Sequence, residues 1–198
     1  MKIRVNRLLL QAAWLLAPGL ALAHTGAGDA HTHSSFFSGL LHPLTGADHL
    51  AAMLAVGVWS ALAVRPVWLA PLAFVAMLVV GALAAFGGLV VPAVEPMIAA
   101  SLLVIGLLIA LQARLPAALA ALIVGAFAFF HGAAHGAELA GGDGAWLALV
   151  GMVISTAALH LTGIGLGEWL FKPRRWLSVS AGGAVALLGS VLLLRLAA

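Results

Sequence analysis

The chain of 198 residues contains no cysteine and no tyrosine, and only 8% of its residues are charged. Without cysteine, the protein cannot form disulfide bonds or bind a metal through thiolates. Soluble domains have about 25% charged residues, whereas 64% of this chain is hydrophobic. These values exclude an ordinary soluble protein, and they also exclude a disordered chain, which would be polar and rich in charge. We therefore expect the hydrophobic residues to face a lipid bilayer.

The net charge of +3 comes from nine basic and six acidic residues. Binding to nucleic acid would require basic residues clustered on one face of the protein. Here the basic residues are scattered among the ends of hydrophobic segments, as in membrane proteins, where they fix the orientation of the chain. The charge distribution therefore predicts a membrane partner and no nucleic acid.

The first 23 residues have the three parts of a secretory signal peptide. The basic residues Lys2, Arg4 and Arg7 precede an apolar stretch, and the small residues Ala21 and Ala23 provide a cleavage site. We expect residues 1–23 to be removed. An uncleaved first membrane helix is the alternative interpretation.

Residues 24–36 form a polar segment that we expect to be a tail in the periplasm of a bacterium. Short tracts rich in histidine can bind metal ions weakly, and a solvated tail without such a role is the alternative. The three histidines that could capture metal here are His24, His31 and His33.

Six hydrophobic stretches follow, each long enough to cross about 30 Å of hydrocarbon as a helix. The breaks between them contain proline, glycine or charged residues, and they leave no room for a soluble domain. The predicted fold class for residues 37–198 is therefore all-α, a polytopic transmembrane helical bundle with six spans after removal of the signal peptide. The predicted spans are residues 37–63, 67–90, 96–112, 116–140, 145–171 and 176–197.

The loop charges predict how the bundle is oriented in the bacterial cytoplasmic membrane. If the mature N-terminus is periplasmic, the loops on the cytoplasmic side contain five Lys or Arg residues and the outer loops contain none. This distribution satisfies the positive-inside rule. Tryptophan is enriched at membrane boundaries, so we expect Trp146 at the outer boundary and, at the inner one, Trp59, Trp68, Trp169 and Trp176.

The first predicted span contains three ionisable residues, which are costly inside a bilayer and normally face the bundle interior. These residues are His42, Asp48 and His49. In a continuous helix that begins near Pro43, the two histidines would point within about 20° of each other. Asp48 would lie to one side, either as a metal ligand or as a hydrogen-bond acceptor that orients an imidazole.

The fourth predicted span places His131, His135 and Glu138 on one helix face. Two imidazoles at this spacing bind zinc in HExxH enzymes, but Gly132 stands where those enzymes have their glutamate. Because the first span enters from outside and the fourth runs outward, both clusters should lie in the outer half of the membrane. Four imidazoles with one or two carboxylates favour Ni, Co, Cu or Zn.

The fifth predicted span contains two further ionisable residues. His160 lies near its middle, either as a deeper station for a metal ion or as a structural residue. Glu168 lies near the cytoplasmic end, where we expect it to pair with Lys172 one helical turn away.

The stretch from His42 to Gly57, HPLTGADHLAAMLAVG, resembles the signature HPxxGxDHxxxMxxVG of the HupE/UreJ family and matches every fixed position. The His-Gly-x-x-His-Gly element followed by Glu138, the signal peptide and the six spans also resemble this family. The resemblance implies a secondary permease for nickel, sometimes cobalt, that is associated with hydrogenase or urease maturation. It further implies that the metal is handled by His42, Asp48 and His49, with His131 and His135 as partners.

The leading hypothesis is thus a permease, not an enzyme, whose substrate is Ni²⁺ or Co²⁺, with Zn²⁺ or Cu²⁺ as further options and no prosthetic group. The sequence contains no P-loop, so uptake should depend on the membrane potential, a proton gradient or a separate partner. The alternatives are a membrane-embedded zinc hydrolase with Asp48 as general base, for which no serine is expected nearby, or a metal-storing membrane protein. The glycine-rich spans are also compatible with a homo-oligomer.

Overall fold

The computed structural model describes residues 35–198, which form seven α-helices and no β-strand. The predicted signal peptide and the histidines His24, His31 and His33 lie outside the described residues. A π-helix, Gly167–Phe171, continues the sixth helix. The helices are α1 (Phe36–Thr45), α2 (Ala47–Ala63), α3 (Leu69–Phe86), α4 (Val94–Leu111), α5 (Ala117–Leu139), α6 (Ala145–Leu166) and α7 (Arg175–Ala197).

The helices α3 to α7 are each long and apolar enough to cross a membrane. The helices α1 and α2 qualify only as a pair, so the described residues contain five candidate spans, or six if this bent pair counts as one. Large apolar side chains such as Leu72, Leu122 and Leu194 are exposed on the outside of the bundle, as expected for surfaces in contact with lipid. The all-helical fold class is confirmed.

The first predicted span is a broken helix, so the expectation of a continuous helix is wrong. The axes of α1 and α2 differ by 83°, and Gly46 lies between them in an extended conformation (φ −89°, ψ 117°). Pro43 lies in the last turn of α1 and not in a first turn. The hydroxyl of Thr45 donates to the carbonyl of His42 at 2.9 Å, which satisfies one of the acceptors left at the end of α1. The alignment of His42 with His49 therefore cannot come from helical periodicity.

Glycines bring the helices together in pairs. A Cβ on Gly132 of α5 would overlap the carbonyl oxygen of Leu78 on α3, and a Cβ on Gly81 would overlap that of Phe129. A Cβ on a glycine would also overlap the neighbouring helix between α4 and α7, and between the α1–α2 segment and α6. Small residues allow membrane helices to approach this closely. The glycines among the histidines of α5 therefore fix the position of that helix against α3.

Trp59 lies within the last two turns of α2, but its side chain does not face lipid as an aromatic-belt residue would. Its side chain is fully buried among apolar residues of the core, and Nε1 donates to the carbonyl of Ala113 at 2.9 Å. This hydrogen bond ties α2 to the loop between α4 and α5. The position along the span did not indicate the direction in which this side chain points. The other four are exposed, as boundary residues should be: Trp68, Trp146, Trp169 and Trp176.

Candidate metal centre

Four histidines converge where α1, α2 and α5 meet. The ring of His135 has its centroid 4.5 Å from that of His49 and 4.7 Å from that of His42. The ring of His131 lies 5.3 Å from that of His49, and the rings of His42 and His49 are 6.0 Å apart. The structure thus brings together the imidazoles of both sequence motifs. The bend at Gly46 makes this arrangement possible, because it reorients α1, which carries His42, relative to α2, which carries His49.

Glu138 adds a carboxylate at the exposed side of this cluster. Its Oε2 lies 3.5 Å from Nδ1 of His135 and 3.7 Å from Nε2 of His42. One ligand atom from each of these three residues lies within 4.8 Å of the others. Imidazole and carboxylate donors stand about 2.0–2.2 Å from a metal such as zinc, so two opposite donors are at most about 4.4 Å apart. Shifts of a few tenths of an ångström would let the three residues share one ion.

Asp48 is positioned to orient His49. Its Oδ1 accepts a hydrogen bond from the backbone N–H of His49 at 2.9 Å, and the same atom lies 2.9 Å from Nδ1 of the imidazole. A proton on Nδ1 donates to the carboxylate and leaves Nε2 as the nitrogen that can bind a metal. Of the two roles considered for Asp48, this geometry favours the hydrogen-bond acceptor.

Ser101 on α4 contacts the cluster, where no serine was expected from the sequence. Its hydroxyl donates to the carbonyl of Ile98 at 2.6 Å and lies 3.1 Å from Nε2 of His131. Because its hydrogen is already used, the hydroxyl accepts a hydrogen bond from Nε2–H, and Nδ1 of His131 is then the nitrogen with the free lone pair. This Nδ1 has no hydrogen-bond partner within residues 35–198. One feature of the sequence could have indicated this contact: Ser101 and Gln112 are the only polar side chains in the third predicted span.

Comparison with known proteins assigns the chain to a family. Residues 12–192 match the family described as HupE / UreJ protein. The chain belongs to the HupE/UreJ family. It is 38% identical to Protein HupE of Rhizobium leguminosarum bv. viciae over 193 residues, which cover 96% of this chain and 99% of that protein. No solved structure matches the chain significantly.

The HupE/UreJ family is a family of transporters, not of enzymes, and it is associated with nickel and cobalt uptake. This member is accordingly an integral membrane protein with multiple spans. The proximity of Ser101 to His131 removes the argument that a hydrolase would lack a nearby serine. The family nevertheless argues against the zinc hydrolase alternative.

In this HupE/UreJ protein the cluster runs from the surface into the core. The side chains of His42 and Glu138 are 40% and 41% exposed, and Asp48 is 16% exposed. His49 is almost completely buried, and His131 and His135 are fully buried. Exposure thus decreases from His42 and Glu138, which we call the mouth, through Asp48 to the buried His49, His131 and His135. We call these six side chains, in this order of exposure, the funnel.

The two ionisable residues of the fifth predicted span, His160 and Glu168, lie outside this funnel. His160 on α6 is buried beyond Phe74, whose ring contacts both His131 and His160. Glu168 forms an exposed ion pair with Lys172, with 2.7 Å between Oε2 and Nζ. The expected pairing of Glu168 is therefore confirmed, and this pair lies at the end of α6 away from the histidine cluster.

Proposed function

We propose that this protein is a secondary permease that takes up Ni²⁺, and also Co²⁺, across the bacterial cytoplasmic membrane. The observation that carries the proposal is the cluster of four imidazoles and two carboxylates, whose exposure falls from about 40% at His42 and Glu138 to none at His131 and His135. The membership of this protein in a transporter family supports the same function. The ion is the transported substrate.

The donor set supports a late first-row metal. Imidazole suits Ni, Co, Cu and Zn, whereas Mg²⁺ and Ca²⁺ prefer ligand sets made only of oxygen atoms. The family association favours nickel and cobalt over zinc and copper. The residues that we assign to the site are His42, Asp48, His49, His131, His135 and Glu138.

These residues have different roles in the proposal. His42 and Glu138 capture the hydrated ion at the mouth, where their side chains are accessible. His49, His131 and His135 replace water ligands deeper in the funnel. Asp48 holds the His49 ring, and its negative charge helps to compensate the divalent ion, since an uncompensated charge is costly to bury.

The membrane potential is sufficient to drive accumulation in the proposed direction. A divalent ion gains about 4.6 kcal/mol when it enters a cell across 100 mV, because each charge contributes about 2.3 kcal/mol. This free energy corresponds to roughly a 10³-fold concentration ratio. The proposed orientation has the mature N-terminus in the periplasm, on the basis of the loop charges. The imported metal would supply maturation of metalloenzymes such as hydrogenase or urease.

Uptake of radioactive ⁶³Ni²⁺ at low external nickel tests the proposal in cells that express the full chain. We expect saturable uptake that cobalt inhibits more strongly than magnesium does. His49→Ala and His131→Ala should reduce uptake to background while the protein remains in the membrane. The matched control is Thr162→Ala, because this exposed hydroxyl only donates to Ala158 of its own helix.

Two results would contradict the proposal. Normal uptake by correctly inserted His49→Ala and His131→Ala variants would refute the proposed site. If the wild-type protein showed no uptake but retained metal after purification, a metal-storing protein would be the better description.

A further inference from the structure

His160 is a buried imidazole without a visible structural role. Its side chain is 1% exposed, and neither ring nitrogen has a hydrogen-bond partner among residues 35–198. Buried polar groups in native proteins are nearly always hydrogen-bonded, and exceptions call for an explanation such as an unobserved water or ion. A leucine at this position would avoid the cost of burying two unpartnered nitrogens. The imidazole therefore points to a ligand.

The surroundings of His160 offer further donor atoms. Thr156 lies one helical turn earlier on the same face of α6, and its hydroxyl donates to Sδ of Met53 on α2 at 3.4 Å. Both side chains are fully buried. Met53 lies one helical turn after His49 on α2. Residues one turn apart are separated by about 6 Å along the helix axis, so Met53 lies about 6 Å further from the mouth than His49. Imidazole, thioether and hydroxyl groups thus line the region between the two helices.

Phe74 contacts both an outer histidine and His160. Its ring centroid lies 5.5 Å from that of His131 and 4.9 Å from that of His160. Phe74 belongs to α3, which is held against α5 and therefore keeps a fixed relation to His131. The ring of Phe74 thus contacts both imidazoles, and an ion that passed from His131 to His160 would pass beside it.

We propose that His160, together with Thr156 and Met53, forms a second, inner station for the transported divalent ion. The proposal rests on the proposed permease function. The inner station contains only neutral donors, whereas the outer site includes Asp48 and Glu138, so the inner station should hold the ion more weakly. Conduction requires binding that is strong enough for entry but weak enough for exit, and several sites in series satisfy both demands.

The structure also shows where the inner passage ends in this conformation. A Cβ on Gly57 of α2 would overlap the carbonyl oxygen of His160, and a Cβ on Gly163 of α6 would overlap that of Leu54. The two helices are therefore in backbone contact beside and beyond the station. An ion at His160 could leave between α2 and α6 only after they separate.

The deciding experiment compares His160→Leu with the wild-type protein in ⁶³Ni²⁺ uptake and in thermal unfolding. Leucine fills a similar volume and removes both unpartnered nitrogens. We expect the maximal uptake rate to fall at least tenfold, with the half-saturating nickel concentration within twofold of wild type and no loss of thermal stability. Ser155→Ala, a buried polar substitution on the same helix, serves as the control and should transport normally.

The outcomes separate the two proposals. A wild-type rate in a folded His160→Leu protein would refute the inner station and leave the permease function intact, whereas absence of uptake by the wild-type protein would refute the permease function itself. If His160→Leu does not accumulate in the membrane, Thr156→Val becomes the deciding variant, since it keeps the side-chain shape and loses only the hydroxyl. We expect at least a threefold lower maximal rate for Thr156→Val, and an unchanged rate would refute the inner station.

Discussion

Gly136→Ala tests whether the contact between α3 and α5 holds the metal centre together. Gly136 directly follows His135 and packs against α3. A Cβ at this position would lie 2.6 Å from the carbonyl oxygen of Ala82, 2.7 Å from its Cα and 2.8 Å from Cβ of Ala85. To bring the shortest of these distances out to 3.4 Å, where ordinary contacts begin, the two helices must move apart by about 0.8 Å.

This displacement is large compared with the tolerance of a metal site. Distances between a metal and its ligands are met to within about 0.2 Å. The helix α5 carries His131, His135 and Glu138 as one rigid unit, so a shift moves all three relative to His49 on α2. We expect the affinity for Ni²⁺ to fall at least tenfold, because loss of ligand orientation alone typically costs about 10–100-fold. Overpacking should also lower the free energy of unfolding by about 1–3 kcal/mol.

Isothermal titration of the purified full chain with Ni²⁺ measures the affinity, and ⁶³Ni²⁺ uptake measures the consequence for transport. The matched control is Gly183→Ala on α7, where a Cβ would meet no heavy atom within 4 Å. This variant should bind nickel like the wild type, with α7 stabilised by about 1 kcal/mol. If Gly136→Ala bound Ni²⁺ with wild-type affinity and melted at the wild-type temperature, the glycine contact would not position the site.

Two further substitutions test neighbouring parts of the argument. Ser101→Ala removes the hydroxyl beside Nε2 of His131 and should lower the affinity for Ni²⁺ about 10–100-fold. Ser101→Thr keeps a hydroxyl and should bind Ni²⁺ like the wild type. Equal affinity in the two variants would contradict the role of Ser101 in orienting His131. Lys172→Ala removes the exposed ion pair with Glu168, which should contribute no more than about 1 kcal/mol, so the melting temperature and nickel uptake should barely change. A tenfold loss of uptake would show that this pair takes part in transport.

Hydrophobic length predicted most of the helices because a bilayer leaves the backbone little choice. Polar backbone groups in lipid must be satisfied within the chain, so each apolar stretch becomes a helix. The predicted spans 116–140 and 176–197 differ by one residue at most from the observed helices Ala117–Leu139 and Arg175–Ala197. The convergence of the two histidine motifs also followed from topology, since the direction of each span fixes the depth of its residues.

The features that the sequence did not predict depend on tertiary contacts. The break at Gly46 divides the predicted span into two helices, so the expectation that His42 and His49 point in the same direction along one helix was wrong. The burial of Trp59 and the contact of Ser101 with His131 depend on which neighbour each side chain faces. Hydropathy and spacing along one helix contain no information about such neighbours.

The residues of the metal centre are divided between two pairs of helices that pack closely through glycine. His49 belongs to the pair of α2 and α6, whereas His135 belongs to the pair of α5 and α3. The close backbone contacts within each pair leave little room for the two helices to slide. Any shear between packed helices should therefore occur at the interface between the two pairs, which runs between His49 and His135 and past Phe74. A single sliding motion along this interface would pull the donor atoms of the outer site apart and, in the same step, shift the phenyl ring relative to His160. Loss of coordination at one station and access to the next would then be one mechanical event.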